Sequence, residues 1–151
     1  MYQHLLVPLD QSPLAMRLAE YSIKFASEIG ATMTFITVCQ DFEGTAEGAL
    51  QRTLSPDRFI DIALHEAKQT LQAALDLAAL HGVRAVTQLR IGDAPFEEII
   101  NEVRSSACDL VVMASHGHHG LERLLVGSQT QKVLDSASVP VLVMPLRSNG
   151  E

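Results

Sequence analysis

Short apolar runs alternate with longer amphipathic stretches along the chain. His4 to Leu9 is an apolar run that ends at Asp10 and predicts a strand. Ser12 and Pro13 predict the start of a helix, as its N-cap and first residue, and Gly30 suits its left-handed C-cap. Between them, apolar residues recur at helical spacing: Leu14, Leu18, Tyr21, Phe25 and Ile29.

The same alternation continues to the end of the chain. Nearly continuous apolar character over 31–39 is typical of a strand covered on both faces. The remaining predicted elements, in chain order, are a helix over 55–80 with Gly82 at its end, a strand over 84–91, a helix over 95–106, a strand over 109–113, a helix over 128–137 and a strand over 140–145. The polar stretch 40–53 is the longest predicted irregular connection.

This order of elements predicts an α/β fold in one domain, spanning residues 1–151. We expect an open, doubly wound, five-stranded parallel sheet with helices on both faces and right-handed crossovers. Such sheets bind ligands outside the carboxyl ends of their strands. The residues that fall there are Asp10, Cys39, Gln40, Gly92, Asp93, Ala114, Ser115 and His116.

The last predicted strand carries a proline at each end, Pro140 and Pro145. Proline cannot donate a ladder hydrogen bond, so this strand suits the edge of the sheet. An apolar edge needs a cover, and the same strand of a second subunit would supply one. The sequence therefore predicts a homodimer through the Pro140–Pro145 edge strand, with a monomer whose edge is protected in another way as the alternative.

Composition narrows the function classes. A net charge of −7 without a basic cluster disfavours nucleic acid as a partner. Cys39 and Cys108 lie far apart without a CxxC spacing, and the amino terminus lacks signal-peptide features, so we expect a cytoplasmic location. No apolar run approaches the ~18 residues that a membrane span needs, so no membrane insertion is expected.

The segment after the fourth predicted strand carries the candidate chemistry. Gly117 and Gly127 flank a loop whose far end is also the start of a helix. A helix start presents unpaired N–H groups and the positive end of the dipole, so 127–130 offer an anion site built from backbone amides and hydroxyls. A plain helix cap at Gly127 and Ser128 is the alternative.

These features resemble the universal stress protein family over nearly the whole chain. The matching segments are Leu6–Ser12, Cys108–Met113 and Val139–Val143. The ATP-binding branch of that family carries a Gly-x2-Gly-x9-Gly-Ser/Thr signature, which falls here on Ala114, Gly117, Gly127 and Ser128. Ala114 is the departure, since its methyl group would obstruct the ribose side if the backbone there needs positive φ.

The resemblance implies a Rossmann-like fold of the adenine nucleotide alpha-hydrolase type, with ATP as ligand and Mg²⁺ as its usual companion. It also implies which residues touch the ligand. Those on the nucleoside side are Pro8, Leu9, Asp10 and Val38; those at ribose and phosphate are Met113, Ala114, Ser115, His116 and Gly117; those that hold the phosphates are Gly127, Ser128, Gln129 and Thr130. Asp10 has an alternative role, because an acidic residue after a strand often caps the next turn.

Metal sites, other nucleotide-binding motifs and a phosphoacceptor site fit the sequence less well. The histidines at 116, 118 and 119 invite a metal site but lack a Cys or carboxylate at ligand spacing. Neither a Gly-x-Gly-x-x-Gly after the first strand nor a P-loop lysine motif occurs. A phosphoacceptor receiver domain needs an acidic cluster, for which only Asp10 and the displaced Asp93 are available.

No catalytic residue stands out. Ser128 has no evident base, neither cysteine lies in an activating motif, and the nearest cations in sequence are Arg123 and Lys132. Together with the resemblance, this implies a nucleotide-dependent stress-response switch or adaptor with at most slow ATP hydrolysis. The competing hypothesis is a dimeric interaction module in which Ala114 closes the pocket.

Overall fold

The computed structural model describes residues 1–40, 56–115 and 128–146, and the side chains of α2 from residue 61 onward. Its elements, in chain order, are β1 (His4–Pro8), α1 (Ala15–Ile29), β2 (Thr32–Gln40), α2 (Pro56–Leu80), β3 (Ala85–Gly92), α3 (Pro95–Ser105), β4 (Leu110–Ala114), α4 (Ser128–Ser136) and β5 (Val141–Met144). The predicted alternation of strands and helices is confirmed.

The five strands form one sheet in the order β3-β2-β1-β4-β5, and every neighbouring pair is parallel. β1 is central: Leu5 pairs with Met33 of β2 on one side and with Leu110 of β4 on the other. β5 lies at one edge, as its flanking prolines predicted. Whether a second subunit pairs with that edge stays a prediction.

Helices cover both faces of the sheet, which confirms the doubly wound architecture. One apolar cluster joins Leu5 and Val7 of β1 to α1 and α2. The other joins Leu6 of β1 to α3 and α4. Successive residues of a strand point to opposite faces, so β1 is buried from both sides and its apolar run follows directly from its central position.

The start of α1 differs from the sequence prediction. The helix begins at Ala15 after Leu14, which gives no side-chain cap, so Ser12 and Pro13 are not the N-cap and first helical residue. Instead the Ser12 amide donates to Asp10 Oδ1 at 2.8 Å, and the Ser12 carbonyl accepts from the Ala15 amide at 3.1 Å. The Asp10 side chain thus fixes a turn that competes with helix formation and delays it by two residues.

The buried face of α1 also differs from the predicted stripe. Tyr21 and Ile29 are 37% and 40% exposed, whereas the side chains that face the sheet are mostly small. They are Ala15, Leu18, Ala19, Ser22, Ile23 and Ala26. Ser22 tolerates this burial because its hydroxyl donates to the Leu18 carbonyl at 2.7 Å. Small residues let the helix approach the sheet closely. They are less hydrophobic than large apolar residues, so they make a weaker stripe in the sequence.

Both predicted helix stops are confirmed where glycine has a conformational role. Gly30 after α1 and Gly82 after α2 have φ values of 72° and 68°, the left-handed region that favours glycine. None of the helices in the described part of the chain is long and apolar enough to cross a bilayer.

Candidate functional site

The candidate site lies where the direction of winding reverses. β1 and β4 are neighbours in the middle of the sheet. β1 is followed in the chain by α1 on one face, whereas β4 is followed by α4 on the other. Divergent connections at adjacent carboxyl ends define the position at which open α/β sheets bind their ligands.

The end of β1 brings three predicted residues to this edge. The Leu9 amide donates to the Ile36 carbonyl at 2.8 Å, which completes the last pair of the ladder between β1 and β2, Pro8 with Ile36. Leu9 itself is buried, while Asp10 is half-buried. The bond from Ser12 uses one oxygen of the Asp10 carboxylate. The turn-capping role of Asp10 is therefore observed, and its contact with a ligand stays a prediction.

The end of β4 contributes Met113, Ala114 and Ser115. Met113 is buried in the cluster beneath α3 and α4. Ala114 is the last residue of the strand and pairs with Met144 of β5. Among the described residues other than glycine, only Ala107 has positive φ. The backbone at Ala114 is thus one that alanine adopts without strain, so the structure offers no conformational objection to alanine there.

The start of α4 lies against the end of β4. The Thr130 hydroxyl donates to the Ala114 carbonyl at 2.9 Å, and Thr130 is only 5% exposed. Gln129 is half-buried, and its Oε1 accepts the Phe96 amide of α3 at 3.0 Å. Ser128 is exposed. The Thr130–Ala114 bond therefore brings the two sides of the predicted phosphate loop together, although the two residues are 16 positions apart in the sequence.

The remaining predicted site residues divide into two groups. Val38 of β2 is half-buried at the carboxyl edge and packs against the cluster beneath α3 and α4. His116, Gly117 and Gly127 lie outside the described residues, as do the other two histidines of that loop and Arg123.

Sequence reasoning missed one residue next to the site, Phe96. The Phe96 amide lies at the start of α3 and is held by Gln129 from α4. The only available signal was Ala94, which precedes that helix and carries no group that can cap it. Nothing in the sequence indicates that the missing acceptor comes from 33 residues away.

Thiol and metal chemistry find no support in the described part of the chain. No group of three or more His, Cys, Asp or Glu residues there could hold a metal ion. Burial raises the pKa of the Cys39 thiol, and burial is also the largest influence that raises the pKa of Cys108. Both thiols therefore stay protonated and are poor nucleophiles.

Related proteins match both the sequence and the fold. Universal stress protein MJ0531 of Methanocaldococcus jannaschii is 31% identical over 147 residues, which cover 95% of this chain and 82% of that protein. Universal stress protein YxiE of Bacillus subtilis is 28% identical over 148 residues, which cover 95% of this chain and 99% of that protein. The structure of the universal stress protein UspA from Lactobacillus plantarum superposes with a TM-score of 0.81 at 26% identity, over 95% of this chain and 97% of that one.

Two further structures share the fold and contain adenine nucleotides. A universal stress protein from Archaeoglobus fulgidus in complex with dAMP matches with a TM-score of 0.64 at 17% identity, over 94% of this chain and 97% of that one. A universal stress protein in complex with cAMP matches with a TM-score of 0.66 at 18% identity, over 96% and 98%. The model of the universal stress protein family matches residues 1–145, nearly the whole length. This chain belongs to the universal stress protein family.

Proposed function

We propose that this protein binds ATP, with Mg²⁺, between the carboxyl ends of β1 and β4 and acts as a nucleotide-dependent stress-response switch or adaptor with little or no catalysis. The observation that carries the proposal is the Thr130–Ala114 hydrogen bond. It holds the start of α4, with its unpaired amides and positive dipole end, against the strand that borders the switch point. Bound dAMP and cAMP in two proteins of this fold support an adenine nucleotide as ligand.

In this proposal, different parts of the site contact the nucleoside and the phosphates. Pro8, Leu9, Asp10 and Val38 line the nucleoside side, and the end of β4 contacts the ribose. The phosphates lie at the start of α4, where backbone amides bind anions without a lysine. The extended backbone at Ala114 supports this arrangement, because alanine there causes no strain.

The assembly is part of the proposal. β5 is an edge strand whose four residues are all half-exposed, so a second copy could bury them through a two-fold contact. The chain would act as one domain over residues 1–151, as a homodimer in the cytoplasm. A monomeric mass by light scattering at micromolar concentration would contradict the dimer.

The first experiment identifies the ligand. The protein is purified natively and denatured, and any released small molecule is identified by mass spectrometry. Nucleotide-free protein is then titrated with ATP and magnesium by calorimetry. Co-purified ATP, or one site per subunit, supports the proposal. No nucleotide and no heat up to millimolar ATP would contradict it and favour a dimeric interaction module.

A matched pair of variants locates the site. Ser128→Asp places a carboxylate at the start of α4, where an acidic residue favours the helix but repels phosphate. Ser136→Asp places the same charge on the same helix about 12 Å away, at its other end. We expect Ser128→Asp to weaken ATP binding at least tenfold without loss of stability, and Ser136→Asp to bind like the wild type. Equal affinities for the two variants would place the phosphates elsewhere.

A further inference from the structure

α3 begins without a cap of its own. Its N-cap residue is Ala94, which makes no side-chain hydrogen bond to the helix, and Pro95 follows at the start. The Phe96 amide is among the first donors of the helix, which have no partner within it. Gln129 Oε1 accepts this amide at 3.0 Å across 33 residues of sequence. The first turn of α4 thus supplies the cap of α3.

The first part of α4 is held at two more points. The buried Thr130 hydroxyl donates its single proton to the Ala114 carbonyl at 2.9 Å. One turn further along, Lys132 Nζ lies 5.3 Å from the centre of the Phe96 ring, within the range of a cation–π contact. The start of α4 is therefore bonded to a strand on one side and to a helix on the other.

We propose that Gln129 and Thr130 are positioning residues for the phosphate site. Their side-chain bonds to Phe96 and Ala114 hold the amides of α4 in place, and the phosphates are contacted by those amides and by the exposed Ser128. The inference rests on the proposed function and refines it, because it gives the Gln129 carbonyl and the Thr130 hydroxyl a positioning role in place of a direct contact with the phosphates.

The physical reason is preorganisation. The Thr130 proton already has a partner within the protein, so a phosphate would have to displace that bond to use it. The Gln129 carbonyl accepts the Phe96 amide and has no proton to offer a phosphate. Backbone amides that are fixed before the ligand arrives bind it without a further ordering cost. Loss of either side-chain bond should weaken the binding of phosphates and leave the binding of the nucleoside unchanged.

The test compares ATP with adenosine, which lacks the phosphates. Thr130→Val keeps the shape but removes the hydroxyl, and Thr130→Ser keeps the hydroxyl. Gln129→Met removes the acceptor, and the matched control Gln131→Met removes only an exposed bond to Asp135 on the same helix. Affinities are measured by calorimetry and, for weak ligands, by NMR titration.

We expect Thr130→Val and Gln129→Met to bind ATP about five- to tenfold more weakly and adenosine within about twofold of the wild type. Thr130→Ser and Gln131→Met should keep wild-type ATP affinity. Equal losses for ATP and adenosine, or no loss for ATP, would overturn the positioning role alone. A wild-type protein that binds no ATP would overturn both proposals.

A second measurement reads the contact itself in the nucleotide-free protein. Hydrogen exchange at the Phe96 amide should accelerate in Gln129→Met and stay slow in Gln131→Met. An amide that stays equally protected in Gln129→Met would overturn the assignment of Gln129, whatever the ATP affinities show.

Discussion

The two ends of the central strands use their aspartates differently. At the amino end, Asp109 accepts the amides of Gln3 and His4 at 2.8 and 3.0 Å and so joins the start of β4 to the start of β1. At the carboxyl end, Asp10 accepts the amide of Ser12 only two residues further on. One carboxylate joins distant parts of the chain, and the other shapes a local turn.

His4 makes two further side-chain contacts between strands at the amino end. His4 Nδ1 lies 2.6 Å from the Thr32 hydroxyl, and Nε2 lies 2.7 Å from the Thr34 hydroxyl. Both ring nitrogens thus connect β1 to β2. The amino end is fixed by side-chain bonds between strands, whereas the carboxyl end lies against the start of α4, the proposed phosphate site. Stability and ligand binding should therefore be separable along the same two strands.

The largest expected effect on stability comes from Asp109→Ala. Loss of the carboxylate leaves the amides of Gln3 and His4 without their acceptor, and we expect a loss of about 2–3 kcal/mol in the free energy of unfolding. Urea denaturation measures this loss. Asp109→Asn keeps one acceptor oxygen and should recover part of it. ATP affinity, measured by calorimetry, should not change in either variant, and a parallel loss of affinity would break the separation of the two ends.

Asp10→Ala should affect ATP binding more than stability. The bond to the Ser12 amide is local, so we expect a loss of about 1 kcal/mol in stability, together with about a tenfold loss of ATP affinity. Asp10→Asn keeps an acceptor for that amide and should restore the stability. A variant Asp10→Ala that binds ATP normally would leave Asp10 with its turn-capping role alone.

The smallest expected effect is a change in pH dependence. Burial lowers the pKa of His4 below its ordinary value of 6.5, although the charges of Asp109, which precedes β4, and of Glu102 on α3 raise it in part. The folded protein then binds the His4 proton more weakly than the unfolded chain does. Stability from neutral His4 is full above pH 6.5 and declines as the pH falls below that value.

The variant His4→Gln cannot titrate, so its stability should fall less steeply than that of the wild type between about pH 7 and pH 5. Urea midpoints at a series of pH values give the two slopes. Identical slopes would show that other groups dominate this range. Asp109 titrates lower: burial raises its pKa, but the amides of His4 and Gln3 outweigh burial and lower it, so its contribution is lost only in acid, below about 3.8.

Sequence reasoning was most reliable where a local signal decides the structure. Gly30 and Gly82 end helices in the left-handed conformation, and Pro140 and Pro145 flank an edge strand, as predicted. It was less reliable for α1, whose buried face consists largely of small residues that make a weak hydrophobic stripe. Tyr21 and Ile29 belonged to the predicted stripe, yet both are exposed at the surface.

Some features of the candidate site also followed from the sequence, and others did not. The carboxyl-edge position of Asp10 and Ala114 follows from the order of strands and helices, since parallel strands end at the same edge. The capping of Ser12 by Asp10 was one of two roles that the sequence left open. By contrast, the bonds of Gln129 and Thr130 join residues that are far apart in the chain, so no local pattern could reveal them.

The sequence by itself determined the alternating elements, the parallel sheet and the edge at which a ligand would bind, because strand burial, helix stops and crossovers depend on local pattern and chirality. Only the tertiary structure decided which side chains meet. Asp109 reaches the amides of Gln3 and His4, and Gln129 reaches that of Phe96, because strand order and helix packing place distant segments side by side. Those contacts depend on three-dimensional proximity, which spacing along one chain does not encode.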